Sequence, residues 1–548
     1  MKPITFVLKN LFFVLSFPAA AIAAFAQETN FAQVIVNTSA EPVAAGKFAP
    51  TWESLKQYQV PAWFRDAKFG IWAHWGAQCQ PEAGDWYARS MYFPGSDQNK
   101  FHIAHYGPPK EFGFKDVIHQ WHAENWDPEK LMALYKRAGA QYFFALANHH
   151  DNFDNWDSQY QPWNSVAIGP KKDLIGGWAK AARENGLRFG VSVHAAHAWT
   201  WYEPAQNYDG KLTKADGRGL WWDGLDPQDL YAQNHTPSPG FEKANSIHAR
   251  WNWGNGASQP DQAYCDKFYN RTVDLINKYH PDLIYFDDTA LPLWPVSDAG
   301  LKIAAHFYNR NNQWHGAQDD GVLFGKILTP EQRQCMVWDV ERGASNQTEP
   351  LPWQTDTCIG DWHYRRSIFA QHRYKSAPTV IRTLADVVSK NGNLLLNIPV
   401  RGDGTIDDDE LNVVQGIAAW IEVNRECIFG TRPWKKCGEG PALESAAPLT
   451  AQGFNEGKGK AAGADDVRFT TKGNVLYVIE LGWPTNGVSI KSLGKSAKLL
   501  DQKIRKIELL GSREKIKWKQ KEEALVISQP EKQPNDFAIV FKLSLRGP

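Results

Sequence analysis

The sequence has no excess of charge of either sign. It contains 60 Lys and Arg residues against 60 Asp and Glu residues, so its formal net charge is zero and its pI is near 7.3. Nucleic-acid-binding domains usually carry a basic patch, so no nucleic-acid partner is expected. The length of 548 residues exceeds one ordinary domain and predicts at least two globular units.

Two common ligand-binding signatures are missing as well. The six cysteines include no Cys-x-x-Cys pair, which argues against a structural zinc site. There is no G-x-G-x-x-G and no G-x-x-x-x-G-K-[ST] motif, which disfavours a doubly wound nucleotide-binding fold. Whether the cysteines form disulfides is not determined by their spacing.

The N-terminus has the features of a secretory leader. Lys2 and Lys9 precede an apolar stretch from Leu11 to Ala24, and Ala24-Phe25-Ala26 forms a small-residue cleavage site. A retained membrane anchor is the alternative. We therefore expect an exported protein, periplasmic or extracellular, or in a lysosome-like lumen if the source is eukaryotic, with no membrane partner after the leader is removed.

Helical patterns alternate with short apolar runs from about Pro61 to Trp434. The predicted strands are Phe69 to Trp75, Gln141 to Ala147, Arg188 to Val193, Asp282 to Asp287, Cys335 to Val340 and Asn393 to Ile398. The predicted helices between them include Pro128 to Ala138, Leu174 to Glu184, Tyr264 to Tyr279 and Pro378 to Ser389. This alternation predicts an α/β fold, a (β/α)8-like barrel, with a doubly wound sheet as the alternative.

The chain is expected to divide into five segments. These are a signal peptide at 1–26, an N-terminal extension at 27–60, a catalytic barrel at 61–437, a linker at 438–465 and a C-terminal antiparallel β-sandwich at 466–548. Alternating β runs characterise the last segment, for example Val475-Leu-Tyr-Val-Ile-Glu-Leu481 after the turn Lys472-Gly473-Asn474.

Polar clusters follow several predicted strands, at the end where barrel active sites are built. The clusters are His74-Trp75 with Asp85-Trp86 beyond it, Asn148-His149-His150-Asp151, His194, and Asp287 with Glu341 after the next predicted strand. Asp287 and Asp288 point to opposite faces of an extended chain, so only one can face a central pocket. Capping of the following turn is the alternative role for either residue. Histidines, two acids and 25 Trp residues together favour a sugar pocket.

The triplet His149-His150-Asp151 also suggests metal ligands. Adjacent histidines point apart on an extended backbone, whereas zinc motifs space their ligands so that they converge. We therefore expect no metal and no other cofactor. A metal-dependent hydrolase that uses His149, His150 and Asp287 is kept as an alternative.

Several motifs in a fixed order carry a family resemblance. They are Lys68-Phe-Gly-Ile-Trp-Ala-His-Trp-Gly76, Asp85-Trp-Tyr-Ala-Arg-Ser-Met-Tyr92, Asn148-His-His-Asp-Asn-Phe-Asp-Asn-Trp-Asp-Ser158, Asn393-Leu-Leu-Leu-Asn-Ile398 and Gly430-Thr-Arg-Pro-Trp434. With these motifs the chain resembles the α-L-fucosidases of glycoside hydrolase family 29 from about Val60 to Trp434. The likeness extends into the sandwich through Asp466-Val-Arg-Phe-Thr470.

The resemblance implies a retaining exo-glycosidase that releases α-L-fucose through a covalent glycosyl-enzyme. Asp287 matches the nucleophile, and Glu341 is the best match for the acid/base, whose location varies within the family. A retaining enzyme needs two such carboxyl groups roughly 5 to 5.5 Å apart. The candidate substrate-binding residues are His74, Trp75, Asp85, Trp86, His149, His150, His194, Tyr285 and Trp353.

Three positions depart from the usual family pattern. Asp85 stands where the family usually has Glu, Ser192-Val193-His194 stands where many members have Tyr-Tyr-Ser, and Gln354 replaces a commonly acidic residue. The first puts the contact of Asp85 with the sugar in question, and α-L-galactosidase-like specificity stays open. A non-catalytic fucose- or glycan-binding protein on the same fold is a further alternative. The expected partner is a fucosylated oligosaccharide or polysaccharide, and a homo-oligomer is possible.

Overall fold

The structure, a computed structural model, describes residues 32–316, 318–449 and 454–546. The predicted signal peptide at 1–26 lies outside the described residues. The strands are β1 (Phe69–Ala73), β2 (Tyr142–Asn148), β3 (Arg188–Val193), β4 (Leu283–Phe286), β5 (Val322–Gly325), β6 (Val337–Glu341), β7 (Trp353–Cys358), β8 (Gly392–Asn397), β9 (Arg432–Glu439), β10 (Val467–Lys472), β11 (Val475–Glu480), β12 (Val488–Ile490), β13 (Ile504–Leu509), β14 (Trp518–Gln520), β15 (Leu525–Ile527) and β16 (Ile539–Leu545).

The α-helices surround the barrel and fill its connections. They are α1 (Trp52–Leu55), α2 (Ala62–Ala67), α3 (Tyr87–Ser90), α4 (Asp97–Tyr106), α5 (Phe114–Gln120), α6 (Pro128–Arg137), α7 (Leu174–Glu184), α8 (Ala198–Trp201), α9 (Pro227–Tyr231), α10 (Gln262–Tyr279), α11 (Ala299–Trp314), α12 (Arg366–Ala370), α13 (Ala377–Ser389), α14 (Asp408–Asn424) and α15 (Pro441–Glu444).

Side-chain caps fix where several barrel helices begin. Asp127 accepts a hydrogen bond from the Lys130 amide at the start of α6, and Asp173 does the same for Gly176 at the start of α7. Such caps satisfy backbone N–H groups that have no partner within the helix. Gly139 and Gly186 follow these two helices with positive φ, which returns the chain toward the next strand.

Strands β1 to β8 pair in parallel and in sequence order to form a closed barrel. Large aromatic rings fill its interior, and two glycines make room for them. A side chain at Gly70 would overlap the Tyr142 ring, and one at Gly190 would press against the Phe144 ring. The inside of the barrel is therefore packed with side chains and leaves space for a ligand only at its ends.

The predicted (β/α)8-like barrel is confirmed, and six of its strands lie within about two residues of the predicted positions. The two strands that the sequence analysis did not predict are β5 and β7. Strand β5 is only four residues long, and β7 reads Trp-Gln-Thr-Asp-Thr-Cys, which has no apolar run. Because β5 and β7 were not predicted, the site residues on or directly after these strands were not predicted either.

Two antiparallel sheets follow the barrel, with strand orders β13-β16-β11-β10-β9 and β12-β15-β14. Apolar side chains from both sheets form one buried cluster, including Phe469, Val478, Ile527 and Phe541. The barrel segment was predicted to end at 437, and β9, which begins at Arg432, pairs with β10 of the C-terminal sheet. No helix in the described part of the chain has both the length and the apolar character needed to cross a membrane.

Within the segment predicted as a linker, 438–465, the described residues 454–456 pack against the end of β6. The Phe454 amide donates to the Glu341 carbonyl at 2.9 Å, and the Glu456 amide donates to the Arg342 carbonyl at 2.9 Å. These contacts continue from the end of β6 and bring Phe454 to the edge of a cavity. All six cysteines lie in the described residues, and each is buried and unpaired.

Candidate active site

A cavity of about 150 Å³ opens at the C-terminal ends of the barrel strands. Its ionisable lining residues are His74, Asp85, His149, His194, His248, Asp287, Asp288, Lys326, Glu341, Asp356 and His363. Its apolar and aromatic lining residues are Trp72, Trp86, Trp251, Tyr285, Ile327, Trp362 and Phe454. A cavity with charged groups on an aromatic wall suits a small polar ligand with apolar faces.

Asp287 follows the last residue of β4 and is surrounded by hydrogen-bond donors. Its Oδ2 atom contacts His150 Nε2 at 3.1 Å and His194 Nδ1 at 3.2 Å, and its Oδ1 atom accepts from Lys326 Nζ at 2.6 Å. Burial alone would raise the pKa of Asp287, but the Lys326 ammonium and the two histidines lower that pKa well below its usual value. Asp287 is therefore an ionised carboxylate.

Lys326 joins Asp287 to Glu341. Lys326 follows β5, and Glu341 is the last residue of β6. The Nζ atom of Lys326 also donates to Glu341 Oε2 at 2.5 Å. The two carboxylate oxygens that it contacts can lie no more than about 5.1 Å apart, the sum of the two distances. Burial would lower the pKa of Lys326, but the carboxylates raise it well above its usual value, so the ammonium is charged.

Glu341 has the opposite electrostatic environment to Asp287. Burial raises the pKa of Glu341 to about 7, Lys326 opposes this rise, and the negative charges of Asp356 and Asp287 add to it. Part of the Glu341 population therefore carries a proton near neutral pH. A carboxylate beside a protonated carboxyl group at this separation is the arrangement of a retaining glycosidase.

A second acidic pair lies beside Glu341. In the register of β6 and β7, Asp356 is the neighbour of Glu341, and its Oδ2 atom accepts from the Tyr285 hydroxyl at 2.9 Å. Asp339 accepts from Gln354 Nε2 at 2.8 Å. Burial, and then the charge of Asp356, raise the pKa of Asp339 well above its usual value. Asp339 therefore holds a proton that it can donate to Asp356.

Histidines line another part of the cavity wall. The rings of His74 and His149 lie 5.2 Å apart between centroids, and those of His149 and His194 lie 4.9 Å apart. Burial lowers the pKa of each of these three residues, that of His194 to about 4, so the rings are neutral. Both nitrogens of His74 and the Nε2 atom of His194 are buried with no hydrogen-bond partner among the described residues. Such atoms are available to a polar ligand.

The long connection between β3 and α10 closes one side of the cavity with aromatic rings. His248 stacks on Trp86 with centroids 5.3 Å apart, and Trp251 stacks on His197 at 4.0 Å. Trp72 and Trp362 also line the cavity, and their ring centroids are 5.4 Å apart. Stacked rings of this kind resist rearrangement and fix the width of the cavity.

Most of the predicted site residues meet at this cavity. His74, Asp85, Trp86, His149, His194, Tyr285, Asp287 and Glu341 all line it. His150 lies behind Asp287, with Nδ1 2.6 Å from the His194 carbonyl oxygen and Nε2 3.1 Å from Asp287 Oδ2, and positions the carboxylate. Asp288 is turned from Asp287, since its carboxylate contacts His197 Nε2 at 3.1 Å and accepts from the Thr289 amide at 2.7 Å.

Three of the predicted substrate-binding residues do not line the cavity: His150, which contacts Asp287, and the tryptophans Trp75 and Trp353. Trp75 alternates with His74, so its ring turns away, packs on Trp121 and donates from Nε1 to the Arg401 carbonyl at 2.8 Å. Trp353 faces outward toward helix α13 and donates from Nε1 to the Lys390 carbonyl at 2.9 Å. Both side chains take part in packing, and the structure does not bring either of them to the cavity.

Lys326, Asp356 and His363 also line the cavity and are not among the residues predicted from the sequence. Lys326 follows β5 directly, Asp356 lies on β7, and His363 follows β7 by a few residues. These are the consequences of the two unpredicted strands. The signal in the sequence was the order Val-Leu-Phe-Gly-Lys, a short apolar run that ends in a charge.

Three groups of side chains have a geometry that could hold a metal ion. They are His74 with His149 and His363, His149 with His150 and His194, and Asp282 with His315 and Asp320. The third lies away from the cavity and its acids pair with Arg188. In the first two groups, Gln78 Nε2 donates to His149 Nδ1 at 2.9 Å, which places the ring proton on Nε2 and leaves no free lone pair for a metal.

Comparison with known proteins places the chain among enzymes of one kind. A family profile described as Alpha-L-fucosidase matches residues 35–426, and one described as Alpha-L-fucosidase C-terminal domain matches residues 461–544. The chain is 26% identical to human tissue alpha-L-fucosidase over 91% of its length and 92% of that protein. It is 25% identical to human plasma alpha-L-fucosidase over 87% of its length and 86% of that protein.

The similarity extends to solved structures. The crystal structure of Thermotoga maritima alpha-fucosidase superimposes with a TM-score of 0.65 at 27% identity, covering 90% of this chain and all of that one. The structure of the Thermotoga maritima enzyme in complex with fucose gives the same TM-score, identity and coverage.

Proposed function

The chain belongs to the α-L-fucosidase family and is a glycoside hydrolase. We propose that it cleaves terminal α-L-fucosyl residues, with Asp287 as the nucleophile and Glu341 as the acid/base. The observation that carries the proposal is the pair of carboxyl groups bridged by Lys326, whose oxygens lie within about 5.1 Å of each other. This separation fits retention of configuration, because inversion requires room for a water molecule between substrate and base.

In the first step Asp287 attacks the anomeric carbon while Glu341 gives its proton to the departing oxygen. Asp287 is ready to attack because Lys326, His150 and His194 keep it ionised. Glu341 is ready to donate because its pKa of about 7 leaves it partly protonated near neutral pH. The sugar becomes bound to Asp287 as an ester, and the aglycone leaves with the proton.

In the second step the roles of Glu341 are reversed. Its carboxylate takes a proton from a water molecule, which attacks the anomeric carbon and releases Asp287. The Lys326 ammonium remains hydrogen-bonded between the two groups, so a positive charge stays beside whichever carboxyl group is ionised at each stage. The released sugar has the same anomeric configuration as the substrate.

The shape of the cavity supports an exo-acting enzyme. Aromatic rings of Trp72, Trp86 and Trp362 enclose the cavity, and Phe454 stands at its edge. The neutral histidines offer nitrogens to sugar hydroxyl groups, while the rings suit the C5 methyl group that distinguishes L-fucose from L-galactose. A methyl group in place of a hydroxymethyl group alone gives only modest discrimination, so weak α-L-galactosidase activity belongs to this proposal.

The substrate is a fucosylated glycan, and we place the enzyme outside the cytoplasm. The leader-like segment at 1–26 supports export, and a plasma alpha-L-fucosidase is among the similar proteins. The assembly of this chain into a homo-oligomer stays a prediction.

One experiment tests both activity and stereochemistry. The purified protein is mixed with an aryl α-L-fucoside, and the first sugar released is followed by proton NMR before it mutarotates. We expect α-L-fucose to appear first, together with slower hydrolysis of the matching α-L-galactoside. Initial release of β-L-fucose would refute the retaining mechanism, and binding of fucose without turnover would favour the non-catalytic alternative.

A further inference from the structure

His363 is a buried histidine in the cavity that the mechanism above does not use. It lines the cavity, its side chain is 1% exposed, and neither ring nitrogen has a hydrogen-bond partner among the described residues. Its ring lies edge-on to His74 with centroids 4.7 Å apart, and edge-on to His149 at 4.8 Å. A buried ring without polar partners is costly unless a ligand supplies them.

Asp85 fixes the position of this ring. Its Oδ1 atom accepts a hydrogen bond from the His363 backbone amide at 2.7 Å and lies 3.5 Å from Nδ1 of the same residue. In the tautomer that carries its proton on Nδ1, this proton faces the carboxylate and Nε2 is left as an acceptor. The short side chain of Asp85 fixes the backbone of His363, and the imidazole of His363 extends from there toward the cavity.

His149 presents the complementary group. Gln78 donates from Nε2 to His149 Nδ1 at 2.9 Å, and its amide is oriented by the Ala88 N–H, which donates to Oε1 at 3.3 Å. The proton of the His149 ring is therefore on Nε2. The nitrogens through which His74, His149 and His363 could act as ligands all lie within 4.8 Å of one another. One oxygen atom at hydrogen-bonding distance, about 2.8 Å, can reach all three.

We propose that His363, held by Asp85, accepts a hydrogen bond from one hydroxyl group of the bound sugar while His149 donates to the same oxygen. A hydroxyl group both donates and accepts, so it matches this pair, whereas a metal ion needs a lone pair that His149 does not offer. His363 is thus a specificity-determining residue, and the inference rests on the proposed fucosidase function.

The test compares wild type with His363→Phe on an aryl α-L-fucoside and its 2-, 3- and 4-deoxy analogues. Phenylalanine keeps an aromatic ring and removes both nitrogens. We expect kcat/KM for the parent fucoside to fall about 10- to 100-fold, the usual cost of an unpaired polar group in a dry site. For one deoxy analogue the same substitution should cost less than about threefold, because the group that His363 contacts is already absent.

Two further variants serve as controls for the role of His363. Asp85→Ala removes the anchor and leaves the imidazole, so it should weaken dependence on the same hydroxyl group. His235→Phe, at a histidine that does not line the cavity, keeps the stack on Trp199 and should leave the ratios between parent and deoxy substrates as in wild type.

Three outcomes would overturn the proposal. The first is an equal loss on the parent and all three analogues. The second is that His363→Phe and Asp85→Ala weaken the dependence of kcat/KM on different hydroxyl groups of the sugar. The third is stoichiometric binding of Zn²⁺ in equilibrium dialysis that His363→Phe abolishes, since the cluster would then be a metal site. Failure of the proposed function is distinct, because wild type would not hydrolyse the parent fucoside at all.

Discussion

The two sides of the cavity hold carboxyl groups in opposite states. At the end of β4, Asp287 receives hydrogen bonds from Lys326, His150 and His194, and these donors outweigh the effect of burial on its pKa. At the end of β6, Glu341 has Lys326 as a donor, and the charge of Asp356 adds to the effect of burial. One cation serves both groups, so the difference comes from the other neighbours of each.

This difference shows how similar groups acquire different roles. Neither carboxyl group is fully buried, since 18% of each side chain is exposed. Exposure therefore does not separate them. What separates them is the sign of the nearest charges and the number of donors, which are the factors that tune pairs of catalytic acids.

Removing the nucleophile should have the largest effect on activity. Asp287→Gly should reduce kcat on an aryl α-L-fucoside by on the order of 10³- to 10⁶-fold, because no covalent intermediate can form. Sodium azide should restore turnover, since a small anion fits the vacated space, and the product should be the β-configured azide. NMR of the product identifies the configuration. Full activity without azide would exclude Asp287 as the nucleophile.

Removing the acid/base should have a smaller effect that depends on the leaving group. Glu341→Ala is expected to lower kcat/KM on the order of 10²- to 10⁴-fold for alkyl fucosides, and far less for activated aryl fucosides, which leave without a proton. With azide, this variant should form the α-configured azide, because Asp287 is still present. The opposite configurations of the two azide products test the two roles directly.

Glu349→Ala is the matched control for this prediction. Glu349 is also buried, but it pairs with Arg333 at 3.4 Å and with the Ser345 hydroxyl at 2.6 Å, and it does not line the cavity. Its substitution should lower kcat/KM for alkyl and activated fucosides by the same factor. A dependence on the leaving group in Glu349→Ala, and none in Glu341→Ala, would transfer the acid/base role to Glu349.

The sequence alone predicted the nucleophile side better than the acid side. Asp287 follows an apolar strand, and the histidines around it belong to motifs that follow two other predicted strands. Lys326 follows β5, whose apolar run is only four residues long, and Asp356 lies on β7, which has no apolar run. Polar side chains on β7 bond across the barrel interior, as Gln354 does with the Tyr142 hydroxyl at 2.9 Å. Such pairs depend on the closed barrel and have no local pattern.

The barrel itself was predictable because most of its strands are apolar runs between capped helices. Errors occurred where a side chain could face either layer. Trp75 and Trp353 lie next to residues that do matter, and strand alternation turned them outward. His363 follows the unpredicted β7, and nothing in its local sequence indicates that Asp85 would hold its backbone.

Removing the shared cation, Lys326, should shift the pKa of Asp287 and the pKa of Glu341 in the same direction. Without the ammonium of Lys326, the pKa of Asp287 and the pKa of Glu341 should both rise, because Lys326 lowers each of them. Lys326→Met should therefore shift both limbs of the pH profile of kcat/KM to higher pH and lower the maximum by roughly 10- to 100-fold. Lys326→Arg keeps the charge and should leave both limbs near their wild-type positions. Movement of one limb alone would show that the cation serves a single group.

The smallest expected effect distinguishes the influence of Asp356 on the pKa of Glu341 from that of its neighbour Asp339. The wild-type profile should fall above about pH 7, where Glu341 loses its proton. Asp356→Asn removes a negative charge that raises the pKa of Glu341, so the basic limb should move to lower pH, and each unit of displacement costs about tenfold in activity on that side. Asp339→Asn replaces a protonated carboxyl group with a neutral amide and should leave the limb in place. Equal shifts in both variants would mean that altered packing, and not the charge of Asp356, sets the protonation of Glu341.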